Sequence, residues 1–232
     1  MHTLIGQVWQ YLGIYAMSLK NFILHKMHHS AHSKVWTAFD FLDLGNRNAV
    51  DKVLQRLVKS HTIRRIDRGI YDFPQKNQLT GSITAPDYKQ IIAAISRRDQ
   101  ARILIDGLTA ANDLGLTNAV PGQVNVLTDC RLKEVRIDNL IIKFKHTAPS
   151  KLYWADRPAM RVVQALHWIR DIIEQGNPAQ ISKVKSKLKL YLDSQTKKDI
   201  ILDDLQNGLP TLPAWMQDFL KDIFLTSEKK NK

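Results

Sequence analysis

Residues Ser33 to Pro74 read SKVWTAFDFLDLGNRNAVDKVLQRLVKSHTIRRIDRGIYDFP. Gly45 marks a tight turn, and Asn46 is placed to cap the helix that follows and satisfy its orphan N–H groups. That helix is predicted from Arg47 to about Ser60, because Val50, Val53, Leu54 and Leu57 recur at i, i+3, i+4 and i+7 and form one inward stripe. The opposite face carries Arg47, Asn48, Asp51, Lys52, Gln55, Arg56 and Lys59. After His61 the spacing changes to alternation, with Ile63, Ile66, Ile70 and Phe73 set among Arg64, Arg65, Asp67, Arg68 and Gly69. Asp67-Arg68-Gly69 predicts a hairpin tip, since glycine adopts positive φ at little cost.

The whole stretch therefore reads as helix, tight turn, basic helix and two short strands, the order of a winged helix-turn-helix. In that arrangement the first turn of the basic helix enters the major groove. Asn46, Arg47, Asn48, Lys52, Gln55 and Arg56 are then the candidate readers of base edges and phosphates. Arg64, Arg65 and Arg68 make the wing, suited to the backbone or the minor groove. From Gly45 to Gly69 seven Lys or Arg stand against two Asp, an excess that favours a polyanionic partner over an ordinary solvated helix face.

Working outward, 232 residues suffice for one large domain or two small ones with proper cores. A hydrophobic content of 44% with 24% charged residues is ordinary for a globular chain, whereas a net charge of +12 is not, and it points to nucleic acid, an acidic protein or an anionic surface. The single cysteine, Cys130, excludes an intrachain disulfide framework and multi-thiolate zinc sites; it fits a reducing cytoplasm and a packing role. The apolar run near the N-terminus is interrupted by Gln7 and Gln10, lacks a basic leader and is too short to span a bilayer, so no membrane association is expected. Ser18 to His28 already makes a complete amphipathic helix, which marks Met17 as an alternative start and 1–17 as a helical extension. His25, His28, His29 and His32 lie together without acidic or thiol ligands, and a helix end is expected there rather than a metal.

Residues 18–76 form the expected winged helix-turn-helix domain, and the polar stretch with Gly81 and Pro86 makes 77–86 the linker. A mixed α+β domain is expected over 87–176, a helical segment over 177–226 and a disordered tail over 227–232. Within the α+β domain a helix is predicted over Asp87 to Ser96 and a small-residue helix ends at Gly115. A strand begins at Val124, and strands over Glu134 to Ile137 and Leu140 to Lys145 flank a two-residue Asp138-Asn139 turn. One strong helix is predicted from Arg157 to Ile173 with Pro158 in its first turn, followed by helices over Pro178 to Leu190, Gln195 to Gln206 and Thr211 to Phe224. Lys183, Lys185, Lys187 and Lys189 alternate, so they cannot share one helix face.

No glycine-rich phosphate loop, paired metal motif or nucleophile with a base is found, so no catalytic residue, cofactor or metal is expected. Asp106, Asp113 and Asp129 with Lys133 form a loose acidic set that would suit a metal-dependent nuclease only if the fold gathered them. His167 beside Trp168 reads as a helix-surface or satisfied core residue.

The wing end RGIYDFP, the run GLTAANDLGLTNAVPGQVNVLTD, the strand IDNLIIKFKH and the helix with QALHWIRD together resemble the AbiEi-type antitoxins of bacterial abortive-infection toxin–antitoxin systems. The likeness covers about residues 18 to 175 and is nearer to the shorter branch of that family, with its N-terminal winged helix. It implies a non-enzymatic protein whose winged helix binds operator repeats and represses its own operon, and whose C-terminal domain counteracts a nucleotidyltransferase-like toxin. It also implies Asn46, Arg47, Asn48, Lys52 and Arg56 of the helix and Arg64, Arg65 and Arg68 of the wing as contacts; two copies on DNA are expected because one small module buries limited surface. A stand-alone winged-helix regulator is the alternative.

Overall fold

Ser18 caps the first helix, α1 (Leu19–His28), its hydroxyl accepting the Asn21 N–H at 3.4 Å. The computed structural model describes residues 18–30, 34–76 and 81–228, so the extension expected over 1–17, most of the expected tail and His32 lie outside the described residues. The chain divides into two units, one ending at Gln100 and one beginning at Ala101. It is an α+β protein with nine α-helices and two small sheets among the described residues.

In the first unit α1 is followed by β1 (Val35–Thr37), a 3₁₀ turn (Ala38–Phe41), α2 (Arg47–Lys59), β2 (Arg64–Asp67), β3 (Ile70–Asp72) and α3 (Tyr88–Asp99). The stretch before Gly45 is thus a strand and a single tight turn, where a helix was expected. Val35, Trp36 and Thr37 are β-branched or aromatic, are all buried, and pair antiparallel with β3. The Asp40 carboxylate then closes the 3₁₀ turn, accepting the Thr37 N–H at 2.7 Å and the Thr37 hydroxyl at 2.9 Å. The sheet order is β1-β3-β2, all antiparallel, with a register shift between Arg65 and Asp67.

Helix α2 forms as its sequence requires. Asn46 Oδ1 accepts the Ala49 N–H at 2.9 Å, and Val50, Leu54 and Leu57 are buried against Ile23, Met27, Trp36 and Phe41. Gly69 takes φ +71° at the hairpin tip.

The boundary between units falls after α3, beyond the linker expected at 77–86. Asp87 caps α3 through the Lys89 N–H at 2.9 Å, and the helix buries Ile91, Ile92, Ala94 and Ile95 while packing on β1 and β3 of the first unit. Within the expected linker, residues 77–80 lie outside the described residues; beside them Lys76 bridges to Ile83, and the Thr84 N–H donates to the Gln75 carbonyl.

The second unit opens with β4 (Ile103–Ile105), then α4 (Gly107–Asp113), β5 (Gln123–Thr128), β6 (Val135–Ile137) and β7 (Leu140–His146). The sheet order is β4-β5-β7-β6: β4 is antiparallel to β5, β5 parallel to β7, and β7 antiparallel to β6 across the Asp138-Asn139 turn. Gly107 lets α4 lie close on the next helix, since a Cβ there would stand 2.8 Å from the Gln164 carbonyl oxygen and from Trp168 Cβ.

The single helix expected over 157–173 is two, α5 (Met160–Trp168) and α6 (Arg170–Gln175), separated at Ile169. Pro158 precedes α5 because the Asp204 carboxylate holds the entry, binding Arg157 Nη2 at 2.7 Å and the Ala159 N–H at 3.0 Å. The remaining helices, α7 (Pro178–Asp193), α8 (Lys198–Gly208) and α9 (Ala214–Glu228), follow the expected order with shifted ends, and Thr211 falls in a 3₁₀ turn rather than in α9. Asn177 caps α7, its Oδ1 accepting the Gln180 N–H at 2.9 Å.

Candidate nucleic-acid interface

Helix α2 and the β2–β3 hairpin bring the expected contact residues onto one unit. Asn46, Arg47, Asn48, Lys52, Gln55 and Arg56 on α2 are exposed, as are Arg65 and Arg68 on the hairpin. Asn48, Lys52, Arg56 and Lys59 follow one another at helical spacing along a single solvent face. Among the described residues none of these four has a side-chain partner, nor does Arg68.

Gln55 has no side-chain partner either, whereas Asn46, Arg47, Arg64 and Arg65 are engaged. Arg47 Nε binds Asp51 Oδ2 at 2.8 Å, and its guanidinium lies 4.8 Å over the Phe39 ring, whose 55% exposure is unusual for a phenylalanine. The Asn46 side-chain oxygen Oδ1 serves the helix cap. Arg65 Nε donates to the Asp67 carbonyl at 3.3 Å, which holds the guanidinium against its own hairpin. Arg64 differs from the rest: it is half-buried, its Nε and Nη2 bind Asp72 at 3.0 and 2.5 Å, and Nη2 also reaches the Thr84 carbonyl at 3.2 Å. Its charge is matched inside the fold by the buried Asp72 carboxylate.

Both carboxylates of the stretch are therefore occupied, Asp51 by Arg47 and Asp67 by Arg98 at 3.5 Å. The cationic excess noted in the sequence survives folding as an exposed surface. Two residues at this surface stood outside the contact set drawn from the sequence. Lys59 continues the α2 face, and Tyr71 is the cross-strand partner of Arg65. Burial pushes the Tyr71 phenol up, and Arg65 opposes that shift. The signal for Tyr71 was the register of the hairpin, which the alternation did not fix.

Other candidate groups have structural work. His25 and His29 stack with ring centres 4.0 Å apart, and His28 lies against Phe73. Asp106 caps α4 through Thr109 and accepts the Asn125 N–H at 2.8 Å, Asp113 binds Arg161 at 3.0 Å, and Asp129 accepts the Arg102 N–H at 3.0 Å. Among the described residues no three His, Cys, Asp or Glu gather to hold a metal ion. Burial holds the His167 imidazole below the usual histidine range, with Arg170 adding to the effect, and its ring meets Trp215 edge-on. Cys130 is half-buried. Of the alternating lysines, Lys185 pairs with Asp222 and Lys187 donates to the Gly115 carbonyl.

A family model described as a family of unknown function, DUF6088, matches residues 22–200. The chain belongs to this family. The DUF6088 match begins within α1 and ends within α8, so it takes in both sheets and leaves α9 outside. No curated protein matches the chain. Among the described residues of this DUF6088 member, no helix is long and apolar enough to cross a membrane.

Proposed function

We propose that the first unit is a winged helix that binds double-stranded DNA, and that the chain is a transcriptional autorepressor. The observation that carries this reading is the row Asn48, Lys52, Arg56 and Lys59 on α2 beside Arg65 and Arg68 on the hairpin, exposed and facing no unpaired carboxylate. A surface of this kind binds polyphosphate by counterion release. The order helix, strand, turn, helix, hairpin, with β3 central in the sheet, supports the winged-helix reading; the 3₁₀ turn Ala38–Phe41 stands where such domains carry their second helix.

Helix α2 then reads bases from Arg47 and Asn48 at its N-terminal end, and the hairpin holds phosphates. One small module covers little DNA, so a specific operator takes two copies. The antitoxin role rests on the resemblance to AbiEi-type proteins, which assigns to the second unit the task of counteracting a nucleotidyltransferase-like toxin.

Titration of the upstream promoter duplex by the full chain, with and without competitor DNA, tests the DNA reading. Binding that survives competitor and falls steeply with salt is expected; no binding at low salt overturns it. Co-expression with a neighbouring nucleotidyltransferase-like gene tests the antitoxin role, for which rescue of growth is the expected result.

A further inference from the structure

The C-terminal half of α2 and the β2–β3 hairpin enclose a cavity of about 200 Å³ lined by Gln55, Val58, Lys59, Arg65 and Tyr71. Gln55, Val58 and Lys59 stand at i, i+3 and i+4 on one face of the helix, while Arg65 and Tyr71 are directly opposed on one face of the hairpin. Tyr71 is 7% exposed, and its ring belongs to the core around Trp36 and Leu54.

The phenolic hydroxyl has no hydrogen-bond partner among the described residues. It is not sealed, because no buried side-chain oxygen or nitrogen in the described residues is left without a partner, and Tyr71 lines the cavity. Lys59 has no carboxylate partner, and Asp51, the acid that acts on Tyr71, is held by Arg47 at 2.8 Å. The site therefore has a waiting donor at its floor, apolar walls from Val58 and the Tyr71 ring, and two cations at its rim.

That combination matches one sugar–phosphate unit of a nucleic acid: the deoxyribose meets the walls, and the phosphate oxygens take the hydroxyl and both cations. We propose that this cavity seats a single backbone phosphate and its sugar, with Tyr71 donating to the phosphate and Lys59 and Arg65 flanking it. The proposal rests on the DNA-binding reading and adds a fixed contact to it. Such a contact sets the register of α2 along the groove without reading sequence, a task that flexible surface cations perform poorly.

The test uses the full chain and a short duplex of arbitrary sequence, with melting temperatures measured alongside. Tyr71→Phe keeps the ring and removes only the donor. It is expected to weaken binding about tenfold or more, as loss of a hydrogen bond to a charged group does. Its salt dependence should stay parallel to wild type, because no charge is removed. Lys59→Gln, on an exposed position that does not endanger the fold, should instead lower the slope of log affinity against log salt by about 0.9. A duplex series carrying one neutral methylphosphonate at successive positions should contain one position that weakens the wild type more than Tyr71→Phe, which keeps only the Lys59 and Arg65 contacts to lose there.

The failures are distinguishable. No binding of any duplex by the wild type overturns the DNA reading and this site with it. Binding by the wild type that Tyr71→Phe and Lys59→Gln leave unchanged overturns the site alone, as does a methylphosphonate series with no position specific to Tyr71.

Discussion

The guanidinium of Arg98, on α3, donates to the backbone carbonyl of Arg68 at the tip of the β2–β3 hairpin. The same side chain reaches Asp67 at 3.5 Å and binds Asp99 through Nε and Nη2 at 2.9 and 2.6 Å. A helix some distance along the chain thus braces the hairpin. Arg98→Gln is expected to lower stability by about 1–3 kcal/mol through loss of charge-assisted bonds. It should also weaken binding to all duplexes alike, because the wing cations lose their fixed position. Chemical denaturation and a random-sequence duplex titration check the two effects separately.

On the proposed DNA-binding reading, base reading and phosphate holding separate by position. Arg47→Ala or Asn48→Ala should cost about 1–3 kcal/mol on the operator and relax sequence preference. Arg65→Ala or Arg68→Ala should weaken operator and random DNA equally and flatten the salt dependence. Equal losses on both DNAs from both pairs of variants would remove α2 as a base reader.

Arg64 and Asp72 are expected to serve the fold. Their ion pair is 2.5 Å long, with the Asp72 side chain 7% exposed and that of Arg64 32% exposed. Removing one partner of such a pair leaves the other desolvated and unmatched. Asp72→Ala should therefore destabilise the chain by about 3 kcal/mol, the low end for buried pairs because Arg64 is partly solvated. Equilibrium unfolding in urea measures it, and a change under a few tenths would show that water already replaces the bond.

Gly208 ends α8 beneath the Trp154 indole. A Cβ at this position would overlap Cη2 and stand 2.6 Å from Cζ2. Trp154 is itself 7% exposed and has little room to retreat. Gly208→Ala should cost about 1–3 kcal/mol by overpacking, despite alanine's better helix propensity. Thermal unfolding together with tryptophan fluorescence reports both the loss and the displaced ring.

Asp156 holds φ +57° and exchanges two bonds with Ile103, its N–H donating to the Ile103 carbonyl and its Oδ2 accepting the Ile103 N–H, each at 3.1 Å. Burial pushes its carboxyl above the usual range, against the pull of the Ile103 N–H and Arg102. A raised folded pKa means that the native state binds the proton more tightly than the unfolded state. Stability from this group is thus greatest at acid pH and declines as pH rises from the ordinary carboxylate value to the raised one. Asn at this position accepts the Ile103 bond without charge and tolerates the left-handed backbone. Asp156→Asn should match or exceed wild-type stability at neutral pH, and the difference in melting temperature should fall away on acidification.

Most helices were legible because caps and apolar periodicity agree, as with Asn46 and the Val50, Leu54, Leu57 stripe of α2. What escaped was short or set by distant partners. Ile103 to Ile105 is too brief to show a period, and becomes β4 only through pairing with β5. Val35 to Thr37 sat next to a helical pattern and is a strand because β3 lies beside it. The break at Ile169 follows no Gly or Pro, and the start of α5 depends on a carboxylate from α8. At the candidate site the cations of α2 and the wing were visible in order of sequence. The pairing of Arg64 with Asp72 and the facing of Tyr71 with Arg65 required the hairpin register.

Because α3 packs on β1 and β3 with Ile91, Ile92 and Ile95 buried, a translation product stopping at the hairpin would leave Val35 and Ile70, on the sheet face away from the Trp36 core, bare to water. Such a truncation would seek another molecule to cover the same patch. The shortest expressible piece of this gene for binding work therefore runs on past residue 99.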